Sequence, residues 1–208
     1  MSSEPKGLLA PSLLVLLALA LWTFAFAVPW GNFWVKISIS AAILAVSSLI
    51  IRPQTLKEIR FDGRAVLLGL ISATALYLLF MAGKFVSEHF FSFAGHQIGG
   101  IYGVGFGTRH WAIALILFFV TGPAEELFWR AFLQRRLQAR WGGAVGYIVA
   151  ACAYAGVHVP AWNFMLFGAA GIAGLFWGAF YWRFKHLGAV IISHSVWSSV
   201  IFAVLPLQ

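Results

Sequence analysis

TGPAEELFWRAFLQRR, residues 121–136, decides how the rest of the chain is read. It sets Glu125, Glu126 and Arg130 inside an apolar, helix-like run. Directly upstream, WAIALILFFV (residues 111–120) carries no charge. An ionisable group at membrane depth opposes insertion by about 3 kcal/mol on translocon scales. Three such groups are tolerated only if they pair with one another or face a wet cavity, and a chain that keeps them there is expected to use them.

Composition identifies the bilayer as the relevant solvent. Of 208 residues, 62% are hydrophobic, 10% are charged and ten are tryptophan, whereas soluble domains are about 25% charged. The expected fold is therefore all-α, a polytopic transmembrane helix bundle of about seven spans. The apolar runs are 8–28, 33–51, 65–82, 111–133, 143–159, 161–181 and 187–205. Residues 25–27, Ala-Phe-Ala, resemble a signal-peptidase site. The run before them is longer than a usual signal core, so it reads as a retained span. The connection 84–110 is glycine-rich, ending GGIYGVGFGTRH, and has no Lys-Ser/Thr pair of a phosphate loop; it reads as a flexible or re-entrant loop. In organisation, residues 1–108 hold three spans and this loop, and residues 109–208 hold the core with the polar groups, the two forming one integral membrane domain.

The net charge of +8 does not indicate a nucleic-acid partner, because the basic residues cluster in short loops between spans. Lys6, Arg52, Lys57, Arg60, Arg64, Arg135, Arg136, Arg140, Arg183 and Lys185 fall on one side if the spans alternate. Only Lys36, Lys84 and Arg109 fall on the other. This asymmetry puts the N-terminus in the cytoplasm. The lone Cys152 rules out an intramolecular disulfide. Gly168, Gly171, Gly174 and Gly178 form small stripes on span six, which close helix packing explains.

Helical spacing separates the two glutamates. Glu126 and Arg130 are four apart and share a face, so they can pair. Glu125 points about 100° away and is left as a candidate general base. His158, in YAGVHVPAW, lies 15 residues after Gly143, and Glu125 lies 17 before Gly142. In an antiparallel hairpin the two fall at similar depth and can meet. His194, in ISHSVWSSV, shares a face with Ser198. It reads as shallower than Glu125 unless residues 133–140 bend along the interface. Two carboxylates and two imidazoles can activate a water and stabilise an oxyanion, or ligate a divalent metal. No HExxH is present.

Three motifs now resemble a family: EELFWR (residues 125–130), YAGVH (154–158) and HSVWS (194–198) are similar to the EExxxR, FxxxH and HxxxN/D motifs of the CPBP family (CAAX protease and bacteriocin-processing, or Abi). These are intramembrane proteases related to the type II CAAX prenyl endopeptidases. The resemblance implies that Glu125 and His158 position and deprotonate the attacking water. It implies that His194, helped by Ser198, holds the oxyanion, and that Glu126 and Arg130 support the site. Tyr154 stands where the family has phenylalanine, and Ser198 where it has asparagine or aspartate. No cofactor is favoured, since Glu125 and His158 suffice to activate water. Zinc remains the alternative, with Glu125, His158 and His194 as its ligands.

The expected function is hydrolysis of a peptide bond in a membrane-anchored protein or peptide, near the cytoplasmic side. The partners expected are that substrate and the lipid bilayer, with no nucleic acid, in a bacterial or archaeal cytoplasmic membrane. Two other readings compete. One is a non-enzymatic membrane scaffold or immunity protein. The other is a cysteine-type membrane transpeptidase using Cys152, His194 and Arg130.

Overall fold

The computed structural model describes residues 7–104 and 107–207. Lys6, and residues 105 and 106 of the glycine-rich connection, lie outside the described residues. Among those described, seven helices are long and apolar enough to cross a membrane. They are α1 (Leu9–Ala27), α2 (Phe33–Ile51), α3 (Gly63–Phe90), α5 (His110–Trp141), α6 (Gly143–Ala161), α7 (Phe164–Phe184) and α8 (Leu187–Val204). A shorter α4 (Ala94–Gly103) lies between α3 and α5. The protein is an integral, multi-pass membrane protein. Leu9, Leu16, Ile50, Leu67, Phe85 and Phe119 are more than 60% exposed on the outside of the bundle, which suits lipid rather than water.

Short polar residues start several helices. Asn32, Asp62 and Asn163 each accept a backbone N–H three residues on, at 2.8–3.2 Å, relieving donors that have no intrahelical partner. His186 Nδ1 does the same for α8 from Ala189 N–H at 3.3 Å. Gly142, at φ +87°, reverses the chain between α5 and α6. Gly146 then allows the two helices to meet, since a Cβ there would lie 2.2 Å from the Gln138 nitrogen.

Two expectations are corrected. The connection 84–110 is mostly helical. α3 continues to Phe90 because Lys84 and Glu88 pair across one turn at 2.8 Å, sustaining the helix past its apolar stretch. α4 is held in turn by Gln97. Its carbonyl accepts from Asn163 Nδ2 at 2.8 Å, and its side-chain oxygen accepts from Met165 N–H at 3.0 Å. The second correction is that α5 does not end near residue 133 but runs on to Trp141. Its final turns are fastened by Gln134 Nε2 to Gly178 O at 2.9 Å and by Arg135 to Glu58 at 2.6 Å.

Contacts join the early spans to the later ones. Ser38 on α2 bonds Thr121 on α5, and Ser72 on α3 bonds Ser193 on α8, both at 2.8 Å. On α7, Gly174 and Gly178 sit against α6, where a Cβ would lie 3.0 Å from the Tyr154 ring and 2.9 Å from Tyr147. That close approach is the packing expected of the small-residue stripe.

Candidate active site

The centre of α5 is irregular. Pro123 has no N–H to give the preceding turn. π-helical turns at Leu117–Thr121 and Leu127–Gln134 flank the short α-helical segment Gly122–Glu126. Such π-turns inside helices recur at functional sites. Gly122 faces α8, where an added Cβ would stand 2.6 Å from Ser195 Oγ and 2.9 Å from Ser195 Cα. The missing side chain lets α8 close onto the turn that carries the glutamates.

Glu126 is wholly buried. Its Oε1 accepts from Arg130 Nη1 at 2.9 Å and from His194 Nδ1 at 2.6 Å. The pairing expected from the four-residue spacing is therefore present, and the histidine joins it. This removes the apparent mismatch in depth, because His194 meets Glu126 directly. The guanidinium of Arg130 lies over the Tyr154 and Trp177 rings at 4.9 and 5.5 Å, and Nη2 reaches Gly174 O at 3.5 Å. His194 stacks on Trp177 at 3.9 Å. Trp177 is pinned by its indole N–H on Ser193 Oγ at 3.0 Å.

Glu125 faces the other way. Its carboxyl interacts with the Tyr154 hydroxyl, while Oε2 is buried with no hydrogen-bond partner. His158 ends α6. Its Nδ1 donates to Tyr154 O at 2.8 Å, which leaves Nε2 as an acceptor, and that acceptor takes the Trp22 indole N–H at 3.4 Å. The ring's tautomer is thus set by a backbone carbonyl on one side and an indole on the other. Glu125, Tyr154, His158, His194 and Ser198 all line one cavity of about 510 Å³ whose other walls are mostly apolar, with Lys84, Ser87, Tyr102 and Thr121 the other polar side chains. Trp34 and Trp197 also line it, and each has a buried indole nitrogen with no partner.

Several expectations are altered by this geometry. Ser198 lines the cavity, but its hydroxyl donates to His194 O at 2.8 Å. Its proton is committed to its own helix, as serine commonly does four residues on. Cys152 is exposed and is not part of the cavity wall, whereas His194 and Arg130 are buried. The three partners of a cysteine-type site are not brought together. Among the described residues, no three of the His, Cys, Asp and Glu side chains are grouped to hold a metal ion.

Sequence reasoning missed Trp22 and Trp177. Trp22 is completely buried in α1, and no short-range pattern links it to a histidine 136 residues away. The signal for Trp177 was available in the small-residue stripe, whose flanking aromatic had to pack against whatever α7 approached.

Residues 107–200 match the family described as type II CAAX prenyl endopeptidase, Rce1-like. Over that segment the chain is similar to the CPBP family, as its three motifs suggest. No curated protein and no solved structure matched the chain. The likeness suggests a membrane protease of the CAAX kind. The matched segment contains Glu125, Glu126, Arg130, Tyr154, His158 and His194, while Trp22, Trp34 and Lys84 come from spans outside it.

Proposed function

We propose that this protein is an endopeptidase that hydrolyses a peptide bond in a membrane-anchored protein or peptide, using water activated by Glu125 and His158 without a metal. The observation that carries the reading is the unequal placing of two neighbouring carboxylates. Glu126 is paired with Arg130 and hydrogen-bonded by His194 Nδ1. Glu125 presents an unpartnered oxygen in a mostly apolar cavity. A bare carboxylate oxygen in a low-dielectric cavity is suited to receive a proton from water.

In this mechanism His158 Nε2 exchanges its long 3.4 Å contact with the Trp22 indole for a water, and that water gives its proton to Glu125 as its oxygen bonds to the scissile carbonyl carbon. The carbonyl oxygen becomes an oxyanion. His194, with Nδ1–H held by Glu126, donates Nε2–H to that charge in its doubly protonated form. Tyr154 steadies the Glu125 carboxyl. Collapse of the tetrahedral centre breaks the C–N bond, and the proton on Glu125 passes to the departing amine. Ser198 acts through the backbone of His194 and positions that ring, because its own proton is already donated.

The experiment compares the membrane-associated proteins of cells making the wild-type chain with those of cells making Glu125→Gln. The expected result is one or more membrane-anchored chains that accumulate uncut with the variant. Identical profiles would contradict the proposal. Hydrolysis by the purified protein is expected to persist in chelator. Loss of turnover that zinc restores would overturn the metal-free mechanism.

A further inference from the structure

The cavity lies in one half of the bundle, and all seven spans agree on which half. Its wall includes Phe26 near the end of α1, Trp34 at the start of α2, Ser87 near the end of α3 and Leu117 early in α5. It continues with His158 at the close of α6, Phe164 at the start of α7 and Phe202 late in α8. Successive helices are therefore lined at alternate ends, as antiparallel spans require if a cavity belongs to a single membrane leaflet. The cavity shares its half with the turn before α2, with α4 and with the turn before α7. The turn before α3, Gly142 and the turn before α8 lie at the opposite end.

The basic residues choose the opposite end. Arg52, Lys57, Arg60, Arg64, Arg135, Arg136, Arg140, Arg183 and Lys185 all belong to it, against Lys36, Lys84 and Arg109 at the cavity end. A bias of this size in short loops marks the cytoplasmic face. Three strongly exposed tryptophans, Trp30, Trp111 and Trp162, ring the cavity end, as residues at a membrane–water boundary do. Glu125 is the sixteenth residue of α5, about 22 Å of helix from its start, so the cavity reaches from the non-cytoplasmic surface toward the middle of the bilayer.

We infer that this protease receives its substrate from the non-cytoplasmic leaflet: an apolar, membrane-anchored chain segment whose scissile bond descends to Glu125 from outside. The inference rests on the proteolytic reading for its substrate, but its geometry stands apart from it. It moves the expected cut away from the cytoplasmic side. It also disfavours a substrate whose lipidated C-terminus is presented from the cytoplasm, since that route begins at the basic end.

The test uses the full-length chain in its own membrane with Cys152 changed to Ser, and two single cysteines. Ser92→Cys stands in the exposed turn after α3, beside cavity-lining Phe91, and Gln54→Cys is exposed at the basic end. Intact cells are treated with a membrane-impermeant maleimide. The inference expects Ser92→Cys to be labelled before permeabilisation and Gln54→Cys only after it. The reverse pattern overturns the inference, and labelling of both from one side overturns it together with the span count. Adding Glu125→Gln to either chain should leave labelling unchanged. Labelling therefore tests sidedness, and turnover of Glu125→Gln tests proteolysis, so the two can fail separately.

Discussion

Two carboxylates in this protein each bridge two basic side chains from different parts of the fold. Glu126, in the middle of α5, binds Arg130 and His194 through one oxygen at 2.9 and 2.6 Å. Glu58, in the short 3-10 turn Pro53–Glu58, binds Arg52 and Arg135 at 2.6 Å through separate oxygens. Glu126 is buried completely, while the Glu58 side chain is 34% exposed. The same device therefore does different work. At the basic end it joins the α2–α3 loop to α5 in a setting where water and salt compete for every charge. In the bundle centre no water replaces a lost partner, and the second oxygen of Glu126 is already without one.

That contrast can be broken by substitution. Glu126→Ala strips the counter-charge from Arg130 and the acceptor from His194 together, and breaking a buried pair in this way costs about 3–5 kcal/mol. Unfolding followed in detergent should show a loss of that size, and a change under 1 kcal/mol would mean that the cluster is solvated. His194→Ala leaves Glu126 with Arg130 alone, so the expected loss is about 1–3 kcal/mol. Trp22→Phe keeps the ring but removes the donor to His158, which should cost about 1 kcal/mol and slow turnover without changing expression. Glu58→Gln should cost between about 0 and 1 kcal/mol, a difference that shrinks in high salt. A salt-insensitive loss at Glu58 as large as that at Glu126 would erase the distinction between the two bridges.

Much of this arrangement could be read from the residues. Hydropathy is a sum over some twenty positions, so it located all seven spans even where single residues were ambiguous. Helix ends were less legible. α3 and α5 overran their apolar stretches because Lys84–Glu88 and Arg135–Glu58 pairs support helix that hydropathy counts as polar loop. The pairing of Glu126 with Arg130 was visible because it is local. The choice of Glu126 by His194 was not, since it depends on how closely Gly122 lets α8 approach, a property of two helices distant in sequence. Ser198 illustrates a different limit. Its identity was plain, but the direction of its hydroxyl was decided by a free backbone carbonyl four residues back.

The sidedness inferred for the cavity needs fold and sequence together. The count of basic residues is the argument for the bundle's orientation, and the lining residues place the cavity at one end of it. Neither observation says alone which surface a substrate meets.

The claim on which the rest depends is that Glu125, not its neutralised neighbour, handles the proton of the attacking water. The direct measurement is the hydrolysis rate of a chain that accumulates uncut in cells, by purified wild-type protein and by Glu125→Gln in the same lipid vesicles, with the unfolding midpoint of each. The account predicts a fall of about 10²–10⁴-fold, the usual contribution of a general base, with the midpoint unchanged. Comparable turnover by the two proteins would contradict it.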